Sequence, residues 1–119
     1  MDKRKNFGSQ GENIAKSYLT HRGYVFITQN YRQGRLEIDL IFKNKNRFIF
    51  VEVKTRFQTE QSLKENPLTN RQTKNLQKVM VNYCLENNIK FENAQLDLII
   101  ILVNRKTQRA DLSHYPDIL

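Results

Sequence analysis

The run Leu96-Asp97-Leu98-Ile99-Ile100-Ile101-Leu102-Val103 is the most apolar stretch of this 119-residue chain, and it constrains the fold more than any other feature. Short and rich in β-branched residues, it must be a buried strand. A helix is predicted before it, from about Thr69, with Leu76, Val79, Met80 and Tyr83 at helical spacing and Cys84 four residues after Met80. A strand preceded by a helix can be reached by a crossover connection. It can therefore pair parallel with the strand on the other side of that helix. That partner is residues 47–55.

Two further strands are predicted over residues 24–31 and 37–42, with Gly34 marking the turn between them. Asn44-Lys45-Asn46 is a short polar link, so the second and third strands form an antiparallel hairpin. A first helix is expected from Ser9-Gln10-Gly11-Glu12, where Ser9 caps the end and Glu12 reaches back to it. Ala15, Tyr18 and Leu19 give it an inward face, and Gly23 fits its stop. Residues 56–68 are polar, end at Pro67 and read as a mobile surface loop. Ala110–Tyr115 adds an edge strand. The predicted order is α-β-β-β-α-β-β: an α/β fold with a mixed central sheet flanked by helices. Residues 1–8 are expected to be a basic, flexible lead-in, and 9–119 a single domain.

The net charge of +8 and a sequence pI of about 9.8 favour polyanionic partners, although charge can also serve solubility alone. A membrane surface is disfavoured, because there is no Trp and no helix sets a basic face against a broad apolar one. Cys84 is the only cysteine, which excludes an internal disulfide and a multi-cysteine zinc site. The basic start, Met1 to Gly8, is followed by no apolar signal-peptide core, and a cytoplasmic location is expected.

The chemistry is concentrated in Arg47-Phe48-Ile49-Phe50-Val51-Glu52-Val53-Lys54. Strand alternation puts Phe48, Phe50, Glu52 and Lys54 on one face and Ile49, Val51 and Val53 on the other. Both faces look covered near the strand's start, and charge enters only toward its end. Such charges are costly unless paired or metal-bound; the plain alternative is a strand end that reaches solvent. In Leu36-Glu37-Ile38-Asp39-Leu40-Ile41, Glu37 and Asp39 are expected to share a face, and hairpin pairing can bring Asp39 beside Glu52 and Lys54. Two carboxylates beside a lysine suit Mg²⁺-assisted phosphodiester hydrolysis. Lysine can orient water or stabilise a pentavalent phosphate.

Glu12 points toward the inner side of its helix, where it can serve as a third carboxylate; the Ser9 capping box also explains it, and the two roles are not exclusive. Arg71, Lys74 and Lys78 form a basic stripe on the second helix, either a phosphate contact or a solvated face. Thr69 and Gln72 form another capping box, or Gln72 faces the site. His21 and His114 lack a second ligand at metal spacing and read as surface or loop residues. Cys84 reads as a buried structural thiol.

At these residues the chain resembles the YraN-like family of small bacterial proteins. The matching features are Gly11-Glu12 with Ala15 and Tyr18-Leu19, then Gly23-Tyr24, Asn30-Tyr31-Arg32, Glu37-Ile38-Asp39-Leu40-Ile41, Phe50-Val51-Glu52-Val53-Lys54 with Arg56, and Leu96-Asp97. That family is similar to the restriction-endonuclease-like superfamily, which has an αβββαβ core and an aspartate followed by Glu-x-Lys, and which includes archaeal Holliday-junction resolvases. The resemblance implies Asp39 and Glu52 as ligands of Mg²⁺ or Mn²⁺, with the Val53 carbonyl as a further ligand. It implies Lys54 as the catalytic lysine and Glu12 as an auxiliary acid. Two positions depart from the family pattern. Leu36 stands where glycine is usual, and Gln72 where lysine is common.

The expected function is a metal-dependent endonuclease acting on DNA, with Arg56, Arg71, Lys74 and Lys78 holding the backbone. Resolvase-like proteins commonly act in pairs, so the resemblance also raises a homodimer. The alternatives are a non-catalytic nucleic-acid-binding module of the same fold and a protein-interaction subunit whose charges form a structural ion pair.

Overall fold

A computed structural model of the chain describes residues 3–64 and 67–119. Helix α1 is Lys3–His21, followed by strands β1 (Val25–Gln33), β2 (Leu36–Asn44) and β3 (Arg47–Phe57). A short helix α2 (Glu60–Lys64) precedes the long helix α3 (Asn70–Glu86), and a 3₁₀ turn at Phe91–Asn93 leads into β4 (Ala94–Val103) and β5 (Ala110–Tyr115). The five strands form one sheet in the order β1-β2-β3-β4-β5. β3 and β4 pair parallel, across the α3 crossover, and the other neighbouring pairs are antiparallel.

The apolar run is explained by two cores, one on each side of the sheet. Leu96 and Leu98 pack with Phe50, Leu76, Met80 and Tyr83 under α3. Ile99 and Ile101 pack with Ile49, Val51, Ala15 and Leu19 under α1. Each fully buried Leu or Ile contributes roughly 1.5–3 kcal/mol by leaving water. A strand that supplies such residues on both faces has no place for solvent-facing polar positions. β3 alternates as expected: Phe48 and Phe50 belong to the α3 side, and Ile49, Val51 and Val53 to the α1 side.

Two elements differ from expectation. The basic lead-in is helical from Lys3 onward, and α1 passes through Ser9 instead of starting there. Phe7 explains the added turns: its ring stacks on Phe57 at 4.5 Å, so this part of the helix has a tertiary anchor. The stretch read as an irregular loop holds two regular pieces. β3 continues to Phe57, and α2 begins after Thr59, whose hydroxyl accepts the Ser62 N–H at 3.0 Å while Ser62 Oγ accepts the Thr59 N–H at 2.8 Å. Residues 65–66 of that stretch lie outside the described residues.

Helix α3 starts as its sequence predicts. Thr69 Oγ1 accepts the Gln72 N–H at 3.1 Å, and Gln72 Oε1 accepts the Thr69 N–H at 3.0 Å. This closed box commits Gln72 to the helix end and removes it as a site residue. Among the described residues no helix is long and apolar enough to cross a membrane.

Candidate functional site

The site forms where β2 leaves β3. Their pairing runs from Asn44 opposite Arg47 to Leu40 opposite Val51 and stops there. Beyond that point Asp39 takes the place of a main-chain acceptor: its Oδ2 accepts the Val53 N–H at 2.7 Å. The face alternation of β2 slips at the same residue. Ile38 packs on the α3 side, whereas Leu40, two residues later, packs on the α1 side. The simple expectation that Glu37 and Asp39 share a face is therefore replaced by a local irregularity that turns Asp39 toward β3. Across from it on β1, Asn30 has a left-handed backbone with φ 54°, which asparagine tolerates.

Helix α1 brings the third carboxylate. A Cβ on Gly11 would stand 1.8 Å from Thr55 Oγ1, so only glycine lets the helix lie this close to β3. Glu12 follows directly. It makes no cap with Ser9. Instead its Oε2 accepts from Gln29 Nε2 at 3.4 Å. The Asn30 amide, oriented with Nδ2 toward the acids, donates to Glu12 Oε1 at 3.3 Å and to Glu37 Oε1 at 3.2 Å. Gln29, Asn30 and Glu37 are site residues that sequence reasoning did not assign. The Asn30-Tyr31-Arg32 match was the available signal.

The electrostatics of this corner are unbalanced. Burial, followed by the hydrogen bond and charge of Glu52, pushes Asp39 up to about 8, against the opposing pull of the Val53 N–H. Burial and the Asp39 charge push Glu12 up to about 7. Lys54 Nζ lies 3.6 Å from Glu52 Oε2, and both side chains are largely covered. Lys54 is thus paired with Glu52, while Asp39 adjoins Glu52 and Glu12 adjoins Asp39. A hollow of about 330 Å³ opens beside them, lined by Gly8, Glu12, Val53, Lys54 and Arg56 among others.

The donor set suits a hard divalent cation. Asp39, Glu52 and the Val53 carbonyl would all offer oxygen, and a cation would offset the burial and repulsion that hold protons on Asp39 and Glu12. The geometry is open, however. Among the described residues no group of three or more His, Cys, Asp or Glu side chains is arranged to hold a metal ion. Any cation here would rest on two carboxylates, a carbonyl and water.

The structure thus brings Glu12, Asp39, Glu52, Val53 and Lys54 together, with Arg56 exposed at the rim of the hollow. Arg71, Lys74 and Lys78 are exposed along α3, outside that hollow. His114 departs from the surface or loop placement expected for it. Its side chain is 9% exposed, and its Nε2 lies 2.7 Å from the Asp97 carboxylate. A charged residue inside the most apolar run needed a partner, and the neighbouring strand supplies it.

An α/β domain of αβββαβ order, with a carboxylate–lysine cluster at the split between its second and third strands, defines the class. The chain belongs to the family described as uncharacterised protein family UPF0102, whose profile it matches over residues 11–103. A UPF0102 protein of Chlorobium phaeobacteroides is 36% identical over 114 residues, covering 92% of this chain and 90% of the relative. One from Caldanaerobacter subterraneus subsp. tengcongensis is 34% identical over 101 residues, covering 85% and 83%. One from Shewanella sediminis is 42% identical over 82 residues, covering 69% and 70%.

Proposed function

We propose that this protein is a cytoplasmic, Mg²⁺- or Mn²⁺-dependent endonuclease that hydrolyses phosphodiester bonds in DNA. The observation that carries this reading is the cluster of Glu12, Asp39 and Glu52 with Lys54 beside Glu52, in which burial and the Glu52 carboxylate push Asp39 up to about 8, and burial and the Asp39 charge push Glu12 up to about 7. Structural ion pairs do not usually gather carboxylates in excess of cations; sites that bind a cation and a phosphate do.

Asp39, Glu52 and the Val53 carbonyl would hold the cation, which lowers the pKa of bound water and offsets charge on phosphate. Lys54, kept near Glu52, presents a positive charge where the pentavalent phosphate gathers negative charge. Glu12 lies one residue past the close approach of α1 to β3 and holds a proton near neutral pH, so it can exchange that proton with water in the hollow. Arg56 at the rim and Arg71, Lys74 and Lys78 on α3 position the backbone. The buried free thiol of Cys84 fits a reducing compartment.

The test is a panel of branched, duplex and single-stranded substrates with Mg²⁺ or Mn²⁺. Glu52→Ala and Lys54→Ala should each lower cleavage by at least about 10²-fold with the fold retained. Cleavage that survives both changes rejects the assignment. A second reading, a non-catalytic module that binds branched DNA or RNA, is favoured by the lack of a three-residue ligand set among the described residues. It predicts salt-sensitive binding that is indifferent to Asp39→Ala, with no cleavage under any metal.

A further inference from the structure

A groove of about 450 Å³ lies between α3 and the start of β2, lined by Leu36, Lys74, Gln77, Lys78, Val81 and Asn82. Its floor is apolar, with Val81 40% exposed, and no carboxylate lines it among the described residues. The helix docks on the sheet through Leu76, Val79, Met80, Tyr83 and Cys84, with Leu36 half-buried at the edge of that core and Val81 outside it. The walls are fixed to each other: Asn82 Nδ2 donates to Gln33 Oε1 at 3.0 Å, and Gln33 Nε2 donates to the Val79 carbonyl at 3.5 Å. The β1–β2 turn is thereby tied to α3, and Arg35 in that turn sits next to Leu36.

We propose that this groove receives an unpaired nucleotide of the substrate. Its base would lie on Leu36 and Val81, and its phosphates against Lys74 and Lys78. Lysines on the rims call for a polyanion. An apolar floor adds something a continuous duplex cannot use, since paired bases keep their faces stacked inside the helix, whereas an unpaired base offers its face. Gln77 carries both a donor and an acceptor for a base edge. Leu36 is three residues before Asp39 on β2, about 10 Å at roughly 3.3 Å per residue. A strand seated at the acidic site reaches the groove within a few nucleotides.

This inference rests on the nucleic-acid reading of the acidic site and deepens it by naming the substrate class: a strand with unpaired bases beside the cleavage point. The test is fluorescence anisotropy without divalent metal, at low salt, using a blunt DNA duplex and the same duplex with a single-stranded tail. The wild-type protein should bind the tailed duplex at least about fivefold more tightly, the low end of what one base contact contributes. Val81→Asn, an uncharged change at an exposed position, should erase that preference and leave blunt-duplex binding within about twofold. Gln77→Ala should reduce the preference without a change of charge. Equal wild-type affinities for the two DNAs, or a preference that survives both variants, overturns the groove assignment alone. Failure to bind either DNA overturns it together with the reading of the acidic site.

Discussion

Asp39 and Asp97 lie on strands of the same sheet, yet their surroundings are opposite in kind. Asp97 is 0% exposed and ringed by donors: Gln95 Nε2 at 2.8 Å, the Asp117 N–H at 3.0 Å and His114 Nε2 at 2.7 Å. The chain of contacts continues outward. Arg47 Nε donates to Gln95 Oε1 at 2.6 Å, and with the ring proton on Nε2, His114 Nδ1 accepts the Tyr18 hydroxyl at 3.1 Å. Asp39 is less buried, has the single N–H of Val53, and faces Glu12 and Glu52. The two carboxylates differ in depth of burial and in their neighbours: donors surround Asp97, whereas Asp39 adjoins two further acids. Asp97 joins β3, β4, β5, α1 and the C-terminal segment. Asp39 leaves a demand for positive charge that the fold does not meet.

The contrast can be broken by substitution. Asp97→Ala strands three donors and should cost about 3–5 kcal/mol, read by urea unfolding, with or without Mg²⁺. A loss below about 1 kcal/mol would mean that water replaces the carboxylate and that the network is not structural. Asp39→Asn should act in the other direction. Asp39 and Glu12 ionise near 3.8 and 4.5 when unfolded but only near 8 and 7 in the fold. Their contribution to stability is full below about pH 4 and declines as pH rises through the folded values. The Asn variant should match wild type near pH 4 and exceed it by about 1–2 kcal/mol above pH 8, less than the whole shift implies because water still reaches the half-buried carboxyl. Lower stability of the variant at pH 8 would show an Asp39 that is ionised and paired. Tyr18→Phe should have the smallest effect, a loss of about 1 kcal/mol in the same unfolding assay. No loss would place the Tyr18 hydroxyl on water.

The parts of this arrangement that follow local rules were legible in the sequence. Alternation placed Glu52 and Lys54 at the end of a covered strand. The crossover before residues 96–103 gave the parallel pair, and the box at Thr69 and Gln72 fixed the start of α3. The missing parts depend on contacts distant in sequence. The slip at Asp39 reflects β2 parting from β3, which alternation within one strand cannot reveal. The extra turns of α1 depend on Phe57, 50 residues from Phe7. His114 looked solitary because its partners are Asp97 on the neighbouring strand and Tyr18, 96 residues away. Glu12 was legible as an inward-facing acid, but its capping alternative could be dismissed only once α1 was seen to run through Ser9.

The bond from the Val53 N–H to Asp39 has a spectroscopic consequence. That amide proton is held by a titrating carboxylate, not by a neighbouring strand. Its ¹⁵N–¹H resonance is therefore sensitive to the ionisation of Asp39 and to whatever cation the carboxylate takes up. One backbone amide would therefore follow the protonation of Asp39, and cation uptake if the proposed site takes up a cation, with no chromophore needed.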